Sequence, residues 1–337
     1  MGDLKHYPIS IAEIMRARKV VYNFLRPTAL TYYEGLSRAL GAEVYVKHEN
    51  HHPTGTFKIR GGVNLLHHLK LAGVEGVITY STGNHGLSIA TAATWLGIQA
   101  TVVVPCNANP VKIRAIRETG AELVEAGATF EEAGQTVDRL RQERALYYAH
   151  PANEPLLVNG VGTGFLEVAE ALPDIDVMIV PLGAGSEAAS AITALRALQP
   201  RVEIIAVQAQ NSPAAHNSWK QKELCQAPNT TFAGGFATGK AYEVPFAIYK
   251  DGLDDFVLLT EDELYDAIAL ALYYTHNLAE GAGAAPIMAA WKLRARLHGK
   301  RVVLQMSGCN ASPQEVMEAT RREPFLQGYT GQRMGNG

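Results

Sequence analysis

A lysine near the start of a predicted helix is the residue best placed to do chemistry in this sequence. Lys58 lies in the glycine-rich segment 53–62, which reads PTGTFKIRGG. The positive end of the helix dipole disfavours an ammonium group there, so the amine is easier to deprotonate. A neutral amine suits a Schiff base or a general base. The alternative is an ordinary solvated lysine.

Three loops rich in small and polar residues follow predicted strands. They read YSTGNHG at 80–86, PLGAGS at 181–186 and MSGCN at 306–310. Ligands of open parallel sheets bind outside the carboxyl ends of the strands. We therefore expect the three loops to converge on one ligand.

The loop at 181–186 has the features of an anion site. Its small residues let the backbone come close to an anion, which the free N–H groups and the dipole of the following helix would hold. The same region matches G-x-G-x-x-A at Gly183, Gly185 and Ala188, and Glu203 follows twenty residues after Gly183. That pattern is typical of nicotinamide-binding oxidoreductases. A plain strand-to-helix turn is the third possibility.

The loop at 80–86 also precedes a helix, predicted over residues 87–96. Its orphan N–H groups and hydroxyls are suited to a substrate carboxylate, and the Asn84 amide is suited to a ring hydroxyl. The alternative is a helix cap that binds no ligand.

The elements that must position these loops alternate between strands and helices from about residue 43 to residue 310. This alternation predicts an α/β fold with parallel strands. Gly73, Gly97 and Gly120 each close a predicted helix where a left-handed cap is wanted. The predicted strands are 43–47, 77–80, 100–104, 122–125, 176–180, 203–208 and 301–306.

Length and composition predict a globular protein with a small ligand. The chain has 337 residues, of which 47% are hydrophobic and 19% charged, and a domain has about 150 residues on average. The formal net charge of -3 creates no overall field that would attract nucleic acid or anionic lipid. We therefore expect about two domains, a small-molecule substrate, and neither a nucleic-acid nor a membrane partner.

The three cysteines, Cys106, Cys225 and Cys309, are widely separated and form no metal or disulfide pattern. This usage fits a reducing compartment. The N-terminal segment lacks the apolar core of a signal peptide, and no apolar run has the length of a membrane span. We expect a cytoplasmic protein.

Two further clusters favour other functions less well. The basic run 292–301 lies at a predicted helix end, where cations complement the dipole, so it does not indicate a nucleic-acid site. Adjacent histidines point different ways on regular elements, which favours histidines at the surface or at the rim of a cleft over a metal site. The clustered histidines are His48, His51, His52, His67 and His68.

Together, T-G-T-F-K-I-R-G, S-T-G-N-H-G, the glycine-rich turn and the late S-G-x-N resemble the motifs of the fold-type-II pyridoxal-phosphate enzymes. Their order and spacing are most similar to those of the serine/threonine dehydratases, also called ammonia-lyases, and of serine racemase. The resemblance extends from about residue 20 to residue 315. It implies pyridoxal 5′-phosphate as the cofactor.

The resemblance also implies a fold like that of the tryptophan synthase β subunit. Such a fold has open, mostly parallel sheets with helices on both faces. The expected large, cofactor-binding domain comprises residues 1–70 and 151–337, and the small domain, residues 71–150, carries the substrate-carboxylate loop. We expect a homodimer.

The resemblance assigns cofactor contacts to matching residues. Lys58 becomes the Schiff-base lysine, Asn84 the partner of the ring 3′-oxygen, and Ser307 the partner of the pyridine nitrogen. A neutral hydroxyl at that nitrogen makes the cofactor a milder electron sink, which favours elimination over transamination. The remaining predicted cofactor contacts are Phe57, Gly183, Ala184, Gly185, Ser186 and Glu280.

The resemblance likewise implies a set of substrate contacts. Gly235 matches the position whose carbonyl approaches the substrate amine. Phe236, in the apolar turn 234–237, is predicted to face the substrate and to favour neutral β-substituents over a second carboxylate. The predicted carboxylate contacts are Ser81, Thr82, Gly83, Asn84 and His85.

Several positions depart from the family pattern. Ala184 and Ser186 replace two of the four glycines usual in the phosphate loop. Thr82 stands where racemases have a second catalytic residue, which leaves side racemisation open. After strand 203–208 there is no carboxylate until Glu223, and divalent cations prefer carboxylate oxygens. We therefore predict no metal site.

The expected activity is the dehydration and deamination of a β-hydroxy amino acid such as threonine, serine or phenylserine, giving a 2-oxo acid and ammonia. Lys58 would link the cofactor and then remove the α-proton. A racemase or a β-replacement enzyme of the same fold is the nearest alternative. A nicotinamide-dependent oxidoreductase is a distant one.

Overall fold

The computed structural model describes residues 4–81, 83–104, 106, 110–127 and 130–324. Two separate sheets organise these residues. The larger sheet has six strands in the order β1-β2-β10-β7-β8-β9, and the smaller has four in the order β5-β4-β3-β6.

The larger sheet is parallel except at one edge. Strand β1 runs antiparallel to β2, while β2, β10, β7, β8 and β9 run parallel to their neighbours. The strands of this sheet are β1 (Leu30–Tyr32), β2 (Glu43–His48), β7 (Val177–Pro181), β8 (Glu203–Ala209), β9 (Asp255–Leu259) and β10 (Arg301–Met306).

The smaller sheet is parallel throughout. Its strands are β3 (Gly76–Tyr80), β4 (Gln99–Val104), β5 (Glu122–Glu125) and β6 (Tyr147–Tyr148). Helix α3 packs Val63 and Leu66 against Val77 and Ile89 in the core beside this sheet.

Helices fill the connections between the strands. Within the described ranges they are α1 (Ile11–Val21), α2 (Glu34–Leu40), α3 (Lys58–Leu71), α4 (Asn84–Leu96), α5 (Pro110–Glu118), α6 (Phe130–Glu143), α7 (Pro155–Ala171), α8 (Ser186–Leu198), α9 (Ala214–Gln221), α10 (Glu243–Gly252), α11 (Glu261–Thr275), α12 (Gly281–Lys292), α13 (Arg294–Leu297) and α14 (Pro313–Thr320). None of these helices combines the length and the apolar character needed to cross a membrane.

Both faces of the six-stranded sheet are covered, as expected for parallel strands buried between helices. Along β7, Val177 and Ile179 contribute to one hydrophobic core, and Met178 and Val180 to another. The predicted α/β fold with helices on both faces is therefore confirmed.

All seven predicted strands are present, with ends that differ by at most one residue. Strands β1, β6 and β9 were not predicted. Strands β1 and β6 have only three and two residues, too few to show an alternating pattern. Gly97 closes α4 in the left-handed conformation with φ +66°, and Gly73 and Gly120 also have positive φ.

The division into domains stays a prediction. The two sheets are consistent with a small domain of residues 71–150, since β3, β4, β5 and β6 all lie within that range. Helix α3 ends at Leu71, next to the predicted boundary at residue 70.

A buried ionic network fixes the first turn of α3. Arg60 donates from Nε to Glu49 Oε2 over 2.7 Å and from Nη1 to Glu167 Oε1 over 2.7 Å. Lys47 also pairs with Glu167. Burial raises the pKa of the Glu49 carboxyl, but the charges and hydrogen bonds of Arg60 and His52 together outweigh that effect and hold the pKa well below its usual range. The network thus joins α3 to the end of β2 and to α7.

Close backbone contact joins α3 and α7 at the same level. A Cβ on Gly160 would lie 2.6 Å from the carbonyl oxygen of Arg60, and one on Gly61 would lie 2.9 Å from that of Leu157. These two helices can therefore approach each other only because both positions are glycine.

We expect Arg60→Met to lower the free energy of unfolding by about 3–5 kcal/mol, because it leaves two buried carboxylates with too few cations. The matched control is Arg139→Met, which removes a solvent-exposed pair with Glu143 and should cost less than about 0.5 kcal/mol. Urea unfolding measures both values. Equal losses in the two variants would contradict the importance of the buried network.

Candidate active site

A cavity of about 1360 Å³ opens where loops from both sheets meet. The three loops predicted to converge all contribute to its lining. Predicted site residues in the lining are Phe57, Lys58, Ser81, Gly83, Asn84, His85, Gly183, Ala184, Gly185, Ser186, Gly235, Glu280 and Ser307. Thr82, the other predicted catalytic residue, lies outside the described residues.

Lys58 is the first residue of α3, and its amine lies within the cavity. Its Nζ donates to Ser186 Oγ over 3.1 Å and lies 4.9 Å from the centre of the Phe57 ring. Removal of the amine from water lowers the pKa of Lys58 to about 8, although the nearby Glu187 carboxyl opposes this shift. About a tenth of the amine is therefore neutral at pH 7, far more than for an ordinary lysine.

The glycine-rich turn after β7 presents its backbone to the cavity. Gly185 caps α8 with φ +96°, a conformation that favours glycine. A Cβ on Gly183 would lie only 2.0 Å from the carbonyl oxygen of Gly235. Because the N–H groups of the first turn of α8 have no helical partners, this turn suits a phosphate group.

Asn84 and Glu280 are hydrogen-bonded to each other across the cavity. Asn84 donates to Glu280 Oε1, and Asn310 donates from Nδ2 to Asn84 Oδ1 over 2.8 Å and to the carbonyl of Thr54 over 2.9 Å. The bond between Asn310 and Asn84 directly joins the loop at 306–310 to the loop at 80–86. The arrangement fixes the side chain of Asn84 at the start of α4.

Ser307 follows the last residue of β10 and is 5% exposed. Its carbonyl accepts a hydrogen bond of 3.0 Å from the backbone N–H of Phe57. The residue preceding Lys58 is thereby tied to the end of a central strand.

The geometry can be compared with known proteins. The family model described as "Pyridoxal-phosphate dependent enzyme" matches residues 21–308, which is most of the chain. The chain belongs to the pyridoxal-phosphate-dependent enzymes. The resemblance and the cofactor predicted from the sequence are therefore confirmed.

Individual relatives share most of the chain. It is 35% identical over 304 residues to L-threonine ammonia-lyase of Thermotoga maritima, an alignment that covers 90% of this chain and 76% of that protein. It is similar to the processed threonine deaminase isoform 2 of Solanum lycopersicum, with a TM-score of 0.87, 29% identity, and coverage of 92% and 86% of the two chains. Maize serine racemase has the same fold, with a TM-score of 0.88, 24% identity and coverage of 94% and 98%.

The residues present fit pyridoxal phosphate. The cavity contains the partly neutral amine of Lys58, which could bind the cofactor aldehyde. The glycine-rich turn before α8 could hold the phosphate, and the Ser307 hydroxyl after β10 could contact the ring nitrogen. A side chain at position 183 would collide with the backbone carbonyl of Gly235. Only glycine therefore allows these two segments of the cavity lining to lie so close together.

Membership of this family excludes the nicotinamide-dependent oxidoreductase that the sequence left open. The location of Glu203 is an independent argument against nicotinamide binding. Glu203 is the first residue of β8 and pairs with Lys300 over 3.3 Å. It therefore lies at the amino end of the sheet, whereas ligands of such sheets bind at the carboxyl ends.

The placement of Phe236 against the substrate needs correction. Its side chain is completely buried in the core beside the six-stranded sheet and does not line the cavity. The order of residues in the chain suggested that the turn 234–237 faces the substrate. The Phe236 ring instead packs into the core, because burial of an aromatic ring away from water is favourable. The backbone of Gly235 does line the cavity, and its carbonyl lies against Gly183.

The clustered histidines make contacts within the protein, and the prediction of surface or cleft-rim positions is wrong for His48 and His52, which are buried. His48 Nδ1 lies 3.2 Å from Asn50 Oδ1, His52 Nε2 lies 3.1 Å from Glu49 Oε2, and His67 contacts the ring of His68 edge-on. In the part of the chain that the structure describes, no group of three or more His, Cys, Asp or Glu side chains is arranged to hold a metal ion.

Two features of the cavity were not identified from the sequence. One is Glu187, a buried carboxyl in the lining; an acid in the first turn of a helix is common, so its position gave no distinct signal. The other is an aromatic wall, which comprises Tyr80, Tyr148, His150 and Tyr242. Its members come from three separate segments of the sequence, around residues 80, 148–150 and 242, and these segments meet only in the folded chain.

We expect Gly183→Ala to weaken the binding of pyridoxal phosphate about tenfold or more, equivalent to about 1.4 kcal/mol. The added methyl group cannot coexist with the present position of the Gly235 carbonyl. Ala184→Gly, which removes a methyl group from the same turn, is the matched control and should bind the cofactor nearly as well as the wild type. Absorbance titration of the full-length protein measures the affinity. An unchanged affinity in Gly183→Ala would contradict the assignment of the turn.

Proposed function

We propose that this enzyme is an ammonia-lyase that eliminates water from a β-hydroxy amino acid such as threonine or serine. Hydrolysis of the resulting imine takes up that water again and releases a 2-oxo acid and ammonia. The observation that carries the proposal is the presence of the Lys58 amine and the neutral Ser307 hydroxyl in one cavity with the loop that begins at Ser81. The ammonia-lyase and deaminase named among the relatives support the same activity.

When bound, pyridoxal phosphate supplies an aldehyde carbon for attachment and a ring that accepts electrons from the substrate α-carbon. The backbone N–H groups at the start of α8 would hold its phosphate, with Ser186 as an additional donor. Asn84 and Ser307 would orient the ring from opposite elements, α4 and β10.

Lys58 is the group that would move the α-proton. Its amine already lies in the cavity, and its lowered pKa of about 8 provides a neutral form that can accept a proton. The hydrogen bond to Ser186 Oγ orients the amine toward the phosphate-binding turn.

The substrate carboxylate would be held by dipoles rather than by a positive side chain. Burial lowers the pKa of His85 to about 3, so its ring is neutral, and its Nε2 lies 3.1 Å from the carbonyl oxygen of Ala149. The orphan backbone N–H groups at the start of α4 and the hydroxyl of Ser81 are the remaining partners for a carboxylate.

The aromatic wall supports a substrate with a neutral β-substituent. The rings of Tyr80 and Tyr148 are stacked with centroids 6.0 Å apart, and those of His150 and Tyr242 meet edge-on at 5.4 Å. Aromatic faces favour apolar and aromatic groups. This wall takes the place of Phe236 as the reason to expect activity on phenylserine as well as threonine.

We further propose a cytoplasmic homodimer. The three cysteines are unpaired in the structure, which supports a reducing compartment. Gel filtration with light scattering tests the dimer.

The holoenzyme should release a 2-oxo acid and ammonia in equal amounts from threonine, serine or phenylserine, and kcat/KM for 3-hydroxyaspartate should be lower. Lys58→Ala should abolish the reaction, whereas Lys70→Ala, at the far end of α3, should retain it. Coupled ketoacid and ammonia assays measure both products.

Two results would contradict this proposal. Interconversion of amino-acid enantiomers without ammonia would identify a racemase, and product formation that requires an added nucleophile would identify a β-replacement enzyme. A clear preference for 3-hydroxyaspartate would contradict only the neutral substituent and would point to Lys240, a cation in the cavity lining.

Ser307→Asp should slow elimination by about tenfold or more, that is, raise the barrier by about 1.4 kcal/mol. A carboxylate would keep a proton on the pyridine nitrogen and strengthen the electron sink, whereas Ser307→Ala keeps the site neutral and should lower activity only modestly. Steady-state kcat and the absorbance spectrum of each holoenzyme test this. Equal kcat values and identical spectra for the wild type and Ser307→Asp would show that Ser307 does not face the ring nitrogen.

A further inference from the structure

Glu187 is a buried carboxyl in the cavity for which the proposed function provides no role. It is 4% exposed, lines the cavity, and directly follows Ser186, the residue that accepts a hydrogen bond from Lys58. A carboxyl so enclosed is costly to ionise without a cation nearby.

The groups that act most strongly on Glu187 are a cation, a neutral amide and two other carboxyls. Gln305 on β10 donates from Nε2 to Glu187 Oε1 over 3.1 Å. Lys58 on α3 supplies positive charge, while Glu49 after β2 and Glu280 before α12 add negative charge. Lys58 is therefore the charged group that can stabilise an ionised Glu187.

Two effects on the titration of these groups agree with that geometry. Burial raises the pKa of Glu187 well above its ordinary value, and the hydrogen bond from Gln305 and the charge of Lys58 only partly oppose the rise. Burial also lowers the pKa of Lys58, which the charge of Glu187 partly restores. Burial therefore disfavours the charged form of both groups, and each charge partly stabilises the other.

We propose that Glu187 and Lys58 share one proton, so that Glu187 is a positioning residue that stores the proton when Lys58 becomes a neutral amine. In the exchange, the ammonium N–H bond of Lys58 breaks and an O–H bond forms on the Glu187 carboxylate. Water in the cavity would carry the proton, since Lys58 bonds to Ser186 and Glu187 to Gln305 but the two side chains do not bond to each other. No charge leaves the cavity. The role rests on Lys58 as the cofactor-linking lysine, as in the proposed function.

Proton storage would serve two requirements of the site. Lys58 must lose a proton before it can attack the cofactor aldehyde, and a carboxyl inside the cavity can accept that proton without contact with bulk water. A neutral Glu187 would also not repel the phosphate that the turn beside it is suited to bind, whereas a permanent carboxylate would.

The first test measures the protonation of Lys58 in the full-length protein after removal of the cofactor. Competitive labelling with acetic anhydride across a pH series, with quantification of the peptide that contains Lys58, gives the pKa of this amine. Glu187→Gln should lower that pKa by about one pH unit, because a neutral amide cannot stabilise the ammonium form. Glu187→Asp should restore part of the difference.

Glu154→Gln is the matched control. Glu154 is also a completely buried carboxyl, and burial raises its pKa to about 7, but it does not line the cavity and it accepts a hydrogen bond from Tyr147. This variant should leave the pKa of Lys58 unchanged. Circular dichroism at each pH verifies that the variants are folded.

The second test detects the proton on Glu187 in the holoenzyme. The infrared difference spectrum between the wild type and Glu187→Gln should contain the carbonyl stretch of a protonated carboxyl near neutral pH. A spectrum with carboxylate bands alone, or an unchanged pKa of Lys58 in Glu187→Gln, would overturn the proposal. Neither readout depends on the reaction catalysed, so a failure of the ammonia-lyase activity would be distinguishable from a failure of proton sharing.

Discussion

The chemistry of this site depends on one lysine amine that the surrounding protein removes from bulk water. Desolvation lowers the pKa of Lys58 to about 8, and such a position is useful only if the helix that carries the lysine cannot move toward solvent. Two residues farther along α3, Arg60 is locked between Glu49 and Glu167. The buried ion pairs of Arg60 and Lys47 with Glu49 and Glu167 therefore anchor the first turn of α3, which also carries Lys58.

The two sheets have different tasks around this amine. The six-stranded sheet supplies the glycine-rich turn after β7 and Ser307 after β10, while the four-stranded sheet supplies the loop that begins at Ser81 after β3. The hydrogen bonds from Asn84 to Glu280 and from Asn310 to Asn84 connect the two sets. In the function that we propose, a cofactor held by the larger sheet would meet a substrate carboxylate held by the smaller one.

Much of this arrangement was predictable from the sequence because it depends on local rules. Strands β7 and β10 are apolar runs bounded by small residues, and the turn at Gly183 and Gly185 needs glycine for steric reasons that leave a clear pattern. Side-chain direction is different, since it is decided by tertiary packing. The same difficulty explains why Phe236 was predicted to face the substrate although it is buried in the core, and why Glu187 received no role although it lines the cavity.

The central claim is that the Lys58 amine carries the cofactor. Reduction of the holoenzyme with borohydride, followed by proteolysis and mass spectrometry, locates the covalently attached pyridoxal phosphate. We expect the added mass on the peptide that contains Lys58 and on no other lysine peptide. Attachment at a different lysine, or stoichiometric attachment in Lys58→Ala, would contradict the account.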